Sequence, residues 1–388
     1  MSSLSVPVRI SRRRALLLSA LTAAAVAGAC DVRNTQHDEQ TRGPAISVIS
    51  TNVDGPDAVI PSNGAIQIAF DRYLLPSTIT RQSYRILDGN RQDLVDAFRT
   101  IYDPIARTVT ILGPSEDDSE PRAAWLTEGQ IYRLVLPVAP DDDDIGGFRA
   151  IDRATLAEPR EYVFRAGPPA TSTRLDPPVD FCADVMPLFR AKCSDPACHG
   201  ATTRPASGLI LQTVEGVRAA IGRVAVGANT TARAGTPEPP GKVFGSNMAL
   251  IEPRNPGASW LIYKIELAPH TVVDAGTPPD IVCTPPPGEP PVPPRSTARY
   301  TPLVPFFRPA ADDMERSILN DYVLGREMPY PYRPALYAGE DAYYFTPLTF
   351  EERERIRIWI ASGASTRNCG GCDVVRPVAD AGVGDAAP

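Results

Sequence analysis

The sequence predicts a multidomain protein in which an N-terminal all-β sandwich precedes a mostly α-helical domain. Short stretches of alternating apolar and polar residues fill residues 45–166, and this alternation is typical of half-buried strands. Residues 167–180 are rich in proline, serine and threonine, a composition that indicates a linker. Through residues 181–375 apolar residues recur at the three-to-four-residue spacing of helices.

The composition fits a two-domain globular protein. The chain has 388 residues, 43% of them hydrophobic, which is enough for two packed cores. Its 42 prolines are about twice the average usage and disfavour an all-helical protein. The formal net charge is -7, and residues 1–29 contain four arginines and no acidic residue. The rest of the chain is therefore still more acidic, which argues against nucleic-acid binding.

Residues 1–29 are predicted to be a signal peptide. They combine a basic start, an apolar run of about a dozen residues from Ala15 and an exit of small residues. The apolar run is shorter than a membrane span needs. We therefore expect an exported protein whose mature part lies where disulfides persist.

Two motifs in this region resemble those of bacterial lipoproteins. The stretch "SRRRALL", Ser11 to Leu17, resembles a twin-arginine export signal, and "AGAC", ending at Cys30, resembles a lipobox. The resemblance implies that Cys30 is lipidated and anchors the protein to a membrane of the cell envelope, on its periplasmic or cell-surface face. An ordinary signal peptide cut near Ala29 is the alternative, and the export route stays open. Residues 30–44 are polar and aperiodic, and we expect a tether there.

The first domain, residues 45–166, is predicted to contain seven or so short strands. In "GAIQIAF" the alternating apolar positions are Ile66, Ile68 and Phe70. Turn-forming sequences such as "LDGN" and "YDPIAR" separate the strands. This density of short strands is typical of an antiparallel sandwich. The other predicted strands are "AISVIS", "SYRIL", "TVTIL", "IYRLVLP" and "EYVFRAG".

The order of these stretches resembles the bacterial Ig-like domains of the S-layer type. The resemblance is carried by "VIPSNGAIQIAFDRYLLPSTIT", "YDPIARTVTIL", "LTEGQIYRLVLP" and the closing "YVFRAG". It implies an Ig-like sandwich that acts as a spacer or an adhesive module. The acidic run Asp141 to Asp144 lacks the Asp-x-Asp spacing and glycine turn of calcium loops, so we expect a solvated loop there.

The second domain, residues 181–375, is predicted to be helical with a proline-rich insertion. In "FCADVMPLFRAKC" the residues Val185, Leu188 and Phe189 share one face of a helix. In "TVEGVRAAIG" Thr213 is an N-cap candidate. Further helices are predicted at "NPGASWLIYKIEL" and "ADDMERSILNDYVLG", and the insertion is "TPPPGEPPVPPR".

The last predicted helix, "LTFEERERIRIWIASGA", has the clearest boundaries. Thr349 and Glu352 have the spacing of a capping box, and Gly363 stands where a helix commonly ends. Ile356, Trp359 and Ile360 form its apolar face. Residues 376–388 are predicted to be a disordered tail.

The segment "CSDPACHG", Cys193 to Gly200, points to covalent haem. Its Cys198-His199 pair has the form of a c-type haem attachment site, although four residues separate the cysteines here and two are usual. Such a site needs two thiols for the porphyrin vinyl groups and an imidazole that reaches the iron from the same segment. Asp195-Pro196 favours a turn in which the extra residues bulge outward.

The surrounding order of elements resembles small c-type cytochrome domains. The resemblance is carried by "DVMPLFRAKCSDPACHG", "GREMPYP" and "LTFEERERIRIWIASGA". It implies one haem c bound covalently by Cys193 and Cys198, with His199 as the proximal iron ligand and Met328 as the distal candidate. The rival distal ligands are His270 and Met248.

The cysteines leave other interpretations open. Cys193 and Cys198 are alternatively a disulfide or, less favourably, part of a zinc site, for which no second Cys-His pair has suitable spacing. The "CGGC" pair lacks the strand–motif–helix order of a thioredoxin-like site, so disulfides are favoured there. Four disulfide candidates can pair in three ways, and they are Cys182, Cys283, Cys369 and Cys372.

Together these features predict an exported haem-c electron-transfer protein, anchored to a membrane by lipid. Its partner would be an unidentified redox protein or a membrane electron-transfer chain. We expect an electron carrier or a redox subunit rather than an enzyme, because hydrolase and phosphate-loop signatures are missing from the sequence. The alternative is a non-catalytic adhesion or scaffold protein of the cell envelope, with a disulfide-stapled cytochrome-like domain that lacks haem.

Overall fold

The computed structural model describes residues 43–375, apart from thirteen segments and single positions within that range, the last of which runs from 329 to 346 without a break. Several sequence predictions lie outside the described residues: the signal peptide, Cys30, most of the tether, the Asp141 to Asp144 run, His270 and the 376–388 tail. The segments left out are 56, 95–97, 115–119, 141–145, 195–197, 202–204, 206–207, 230–243, 245–246, 270–279, 304–308, 324–327 and 329–346.

The N-terminal half consists of two four-stranded sheets. Their strand orders are β1-β3-β6-β5 and β2-β8-β7-β4, and every pair is antiparallel except β2 with β8. The strands are β1 (Val48–Thr51), β2 (Val59–Pro61), β3 (Ile66–Phe70), β4 (Arg85–Leu87), β5 (Arg99–Asp103), β6 (Thr108–Leu112), β7 (Ile131–Leu136) and β8 (Arg160–Gly167).

Alternation along the strands builds one core between the two sheets. In β3 the residues Ile66, Ile68 and Phe70 are buried, and in β7 Leu134 and Leu136 are buried in the same cluster. The predicted β-rich half is therefore confirmed. Two strands were not predicted, because β2 has only three residues and β5, "RTIYD", lacks clear alternation.

In the described residues of the second half, five helices stand beside a small sheet. Thr213 caps α2 through a bond from the Gly216 amide, and the capping box of Thr349 and Glu352 is confirmed at the start of α5. The helices are α1 (Met186–Leu188, continued by π-turns at Phe181–Val185 and Phe189–Cys193), α2 (Val214–Ala220), α3 (Trp260–Glu266), α4 (Pro309–Tyr322) and α5 (Phe350–Ala361). The strands β9 (Asp280–Thr284) and β10 (Gly371–Val375) pair antiparallel.

Two disulfides close this second half. Cys182, before α1, pairs with Cys369, and Cys283 on β9 pairs with Cys372 on β10. Each cysteine of "CGGC" thus joins a distant partner, and the pair enters a strand rather than an unstructured end. Disulfides of this kind are typical of proteins that fold outside the reducing cytosol, in agreement with export.

The two halves pack directly against each other within the compact unit Gly43–Pro388. The Tyr73 hydroxyl donates to Glu266 on α3 at 2.8 Å, and Arg72 pairs with Glu315 on α4 at 2.7 Å. The stretch predicted as a linker, 167–180, lies along this junction, where Thr173 is buried and Asp176 pairs with α5.

Within the described part of the chain, a search for helices both long and apolar enough to cross a bilayer finds none.

Candidate functional site

A mostly apolar cavity lies where the end of α1 meets α3 and the segment after α2. Its volume is about 100 Å³. It brings together three of the predicted haem-site residues: Cys193, His199 and Met328. The rest of its wall is formed by Leu209, Leu211, Arg223, Val224, Ala225, Val226, Gly227, Leu250, Trp260, Leu261, Lys264 and Ile265.

The backbone holds Cys193 next to His199 despite the wide spacing of the motif. The His199 amide donates to the Cys193 carbonyl at 3.2 Å, and the His199 carbonyl accepts from the Leu211 amide at 2.9 Å. The Ser194 hydroxyl also donates to the carbonyl of Phe189, in the last turn of the helical segment. The backbone of Cys193 therefore lies within hydrogen-bond distance of the backbone of His199, although four residues separate the two cysteines.

The imidazole of His199 is buried and oriented by the backbone. Its Nδ1 lies 3.2 Å from the Leu209 carbonyl oxygen. Because a carbonyl can only accept, this contact favours a proton on Nδ1 and fixes the orientation of the ring. Metal-binding histidines commonly hold their second nitrogen in this way.

The thiol of Cys193 is unsuited to thiolate chemistry on its own. Burial raises the pKa of Cys193 to about 12, and the neighbouring Lys192 ammonium offsets this only in part. Burial likewise lowers the pKa of Lys192 to about 8. A neutral, buried thiol is a poor nucleophile, which disfavours a redox-exchange role for this cysteine.

The structure does not form the alternative Cys193–Cys198 disulfide. Both cysteines lie outside the two disulfide bonds, with Cys193 buried and Cys198 half-buried. Nor do the described residues contain a group of three or more His, Cys, Asp or Glu side chains that could hold a metal ion. A haem requires fewer protein ligands than zinc, because the porphyrin supplies four of the iron's nitrogens.

Met328 reaches the cavity, whereas its rival Met248 does not. Met328 is half-buried and packs at the edge of the core that contains Cys193. Met248 is buried in a separate cluster with Phe244 and Trp260. Two other methionines are also away from the cavity, since Met186 is a core residue and Met314 is 42% exposed.

Two cationic residues at the cavity were missed from the sequence. Lys264 is buried on α3 and Arg223 lies after α2, where its Nη1 donates to the Gly208 carbonyl at 3.0 Å. The only sequence signal was a single lysine within the apolar run "WLIYKIEL". Cations at an apolar wall suit a ligand that is apolar with anionic substituents, such as a porphyrin with its propionates.

The cavity is small for a haem, and Cys198 is not among the residues that line it. Sites for ligands of this size commonly measure about 300–1,000 Å³, against about 100 Å³ here. The rim contains Val224 and Val226, which are 42% and 54% exposed.

Trp359 is a core residue and not part of the cavity wall. Its ring lies 5.4 Å from that of Phe181 and 6.0 Å from that of Phe189, and its Nε1 donates to the Ser365 carbonyl at 2.8 Å. It thereby fixes α5 against the helical segment that leads to Cys193.

Comparisons with known proteins give distant, partial likenesses. No protein-family model matches the chain, and no curated protein matches it. The N-terminal part of the bacterial S-layer protein SbsC has a TM-score of 0.23 at 15% identity, over 33% of this chain and 24% of that one. A longer SbsC structure has a TM-score of 0.23 at 15% identity, over 38% and 17%.

A third likeness is to native alpha-2-macroglobulin of E. coli, with a TM-score of 0.22 at 10% identity, over 34% of this chain and 6% of that one. The chain thus spans a quarter or less of the length of these three structures. At such TM-scores the likenesses carry no argument, and the β-rich half rests on its own strands and registers.

Proposed function

We propose that this protein is an exported haem-c electron-transfer protein, anchored to a membrane through lipid on Cys30. The supporting observation is the convergence of Cys193, His199 and Met328 on one apolar cavity, together with the contact of the Leu209 carbonyl that orients the His199 imidazole.

In this proposal each residue has a separate task. Cys193 and Cys198 hold the haem covalently, His199 is the proximal ligand through Nε2, and Met328 is the distal ligand. The haem supplies a one-electron couple, and the chain tunes its potential through the axial ligands and through burial. The apolar wall excludes water, and Lys264 with Arg223 would neutralise the anionic substituents.

The proposed partner is a redox protein or an electron-transfer chain at the same membrane. A lipid on Cys30 with a polar tether would keep the folded part near the bilayer surface, on the periplasmic or cell-surface face. One lipid chain binds a membrane only marginally, so stable attachment needs more than a single acyl group.

Covalent haem is tested by expressing the full-length protein with haem-attachment machinery. We expect a reduced c-type absorption spectrum, and haem that stays with the polypeptide after denaturation, because thioethers survive unfolding. The double variant Cys193→Ala, Cys198→Ala should lose that haem, and Ser194→Ala, which alters the same segment without removing a thiol, should keep it. A colourless wild-type protein would contradict the proposal.

A second candidate is a non-catalytic adhesion or scaffold protein of the cell envelope. The observation that favours it is the pair of disulfides that staple the second half without involving Cys193 or Cys198. In that case the same expression experiment yields a folded, colourless protein whose cavity takes up no haem.

A further inference from the structure

A buried charge cluster lies at the junction of the two halves, away from the cavity at His199. It centres on Arg357 of α5, which meets three carboxylates: Asp103 at the end of β5, Asp176 in the 167–180 stretch, and Glu354 one turn earlier on α5. Tyr300 covers the guanidinium, with 4.7 Å between the Arg357 Cζ and the ring centre. We refer to these five residues as the junction cluster.

The hydrogen bonds of Arg357 satisfy only part of the junction cluster. Its Nη1 and Nη2 donate to the two oxygens of Asp176 at 2.7 and 2.9 Å. Its Nε donates to Oε2 of Glu354 at 2.9 Å. Asp103 is left with an ion-pair contact of 3.4 Å between its Oδ2 and the Arg357 Nε.

Two carboxylate oxygens consequently have no donor. Oδ2 of Asp103 and Oε1 of Glu354 are buried and receive no hydrogen bond within the described part of the chain. The other oxygen of Asp103 accepts from the amides of Ile105 and Ala106 at 2.9 and 3.1 Å, which fixes the carboxylate in place. A proton on one of the two unmatched oxygens would turn it into a donor.

The number of charges in the junction cluster also favours a bound proton. Three carboxylates face one guanidinium, and the side chains of Asp103, Glu354 and Arg357 are only 8%, 2% and 5% exposed. Burying a surplus of negative charge at low dielectric is costly, and a carboxylate in that position takes up a proton instead.

We propose that the junction cluster is a proton-binding site, occupied at neutral pH, that makes the contact between the β-sandwich and α5 sensitive to pH. The proton is bound by the unmatched oxygen of Asp103 or of Glu354, and its loss leaves two uncompensated charges where the two halves meet. This inference is independent of haem.

The electrostatics of the individual groups agree with this arrangement. Burial raises the pKa of Glu354 well above its usual range, against a smaller opposing effect of Arg357 and a reinforcing effect of Asp103. Burial also raises the pKa of Asp103, again opposed by Arg357. The pKa of Tyr300 is raised by burial and by the same carboxylates, so its hydroxyl stays neutral.

A second cavity gives protons access to the junction cluster. It measures about 350 Å³ and is lined by Asp103, Asp176, Arg357 and Tyr300. The remaining charged side chains on its wall come from β5, from the loop before β7 and from the 167–180 stretch; they are Arg99, Glu120, Arg122 and Arg174. Glu120 is engaged by the Thr173 amide and hydroxyl at 2.8 and 3.0 Å.

The sign of the pH effect follows from the raised pKa values. Below the ordinary carboxyl pKa of about 4, the folded and unfolded chains both carry the proton. As pH rises, these carboxyl groups ionise first in the unfolded chain. In the folded chain they keep the proton up to the raised pKa, and above it they carry a charge that is unfavourable in a buried site. Stability contributed by the cluster is therefore present in acid and is lost as pH rises through the raised pKa.

The substitutions Glu354→Gln and Asp103→Asn test the proposal, because each amide resembles the protonated acid. Wild-type protein at neutral pH should show the infrared carbonyl band of a protonated carboxylic acid, and this band should weaken in one or both variants. The wild-type Tm should fall between about pH 5 and about pH 9, and each variant should reduce that fall by about 3 °C or more.

Glu266→Gln is the matched control, because Glu266 is also buried at the junction but faces its own arginine, Arg353, at 2.9 Å. It should lower Tm at both pH values and leave the slope unchanged. Parallel pH profiles for wild type, Glu354→Gln and Asp103→Asn would overturn the proposal.

Wild-type protein alone also decides the question if the variants do not fold. Absence of the protonated-acid band at neutral pH would overturn the proposal without any variant. Hydrogen exchange, corrected for the intrinsic rate, should quicken at alkaline pH in α5 and β5 more than in β7, which belongs to the other sheet of the sandwich. Equal changes in all three elements would count against it.

Discussion

The imidazole of His199 is oriented by the Leu209 carbonyl oxygen, which lies 3.2 Å from its Nδ1. No feature of "CSDPACHG" identifies Leu209, because this contact joins residues ten positions apart across a turn. The motif and the cytochrome resemblance could point to Cys193, His199 and Met328, but not to what orients the imidazole. Lys264 and Arg223 could not be predicted for the same reason, because they lie beside the cavity only once the chain is folded.

At the residue scale, Met328→Ala tests the distal ligand. We expect haem to remain attached, the low-spin spectrum to change and the reduction potential to fall, because a thioether ligand favours reduced iron. The measurement is a redox titration followed by visible absorption.

Met314→Ala is the matched control for that substitution, because Met314 is exposed on α4. Its spectrum and potential should equal those of wild type. An unchanged spectrum for Met328→Ala would show that another group completes the coordination of the iron.

At the scale of elements, local sequence signals predicted where a helix begins and ends better than they predicted which of its faces are buried. Thr349 and Glu352 form their capping box within one turn, so four adjacent residues suffice to predict it. The one-sided apolar face predicted for α5 was incomplete. The helix is buried on nearly every side, because Arg353, Arg355 and Arg357 pair with carboxylates far away in the sequence.

Strands β9 and β10 show a feature that local sequence signals cannot predict. Their pairing brings residues 280–284 beside residues 371–375, and no local pattern encodes a contact over such a separation. The "CGGC" sequence suggested disulfides but could not reveal which partners would be chosen.

Thr349→Ala measures how much the cap of α5 stabilises the molecule. The change removes the acceptor for the Glu352 amide, which lies 3.3 Å from the Thr349 hydroxyl. We expect a loss of about 1 kcal/mol in the free energy of unfolding, measured by urea denaturation.

Thr301→Ala is the control for the cap, since Thr301 is exposed and outside any helix. Its midpoint should match wild type. If Thr301→Ala lowered the free energy of unfolding as much as Thr349→Ala, the loss would reflect removal of a threonine hydroxyl in general and not the helix cap.

At the scale of the whole molecule, the two halves are joined by buried polar contacts. Arg72 with Glu315 and Tyr73 with Glu266 connect the sandwich to α4 and α3. Composition predicted a proline-rich linker at 167–180, but composition carries no information on whether such a stretch is solvated or packed. Here it is packed, and the halves are held in one arrangement.

Both disulfides should stabilise the folded protein, and their contributions to the free energy of unfolding should differ only slightly. Cys182–Cys369 spans 187 residues and Cys283–Cys372 spans 89. Replacing either pair with serine should cost about 2–5 kcal/mol, and loop entropy alone predicts that the longer loop costs more by only about 0.7 kcal/mol. Guanidinium denaturation of the two double variants measures both quantities.

Reduced wild-type protein is the reference for this pair of variants. Its midpoint should lie at or below that of the less stable variant. A variant as stable as oxidised wild type would show that its disulfide does not constrain the unfolded chain.

The bond between Cys182 and Cys369 also makes most of the second half a covalent ring, entered beside α1 and left just after α5. A protease that cuts once anywhere in that ring, including the proline-rich insertion, opens the circle but frees no fragment. Outside the cell, where proteases are common and repair is absent, the protein can be nicked there and still remain one molecule.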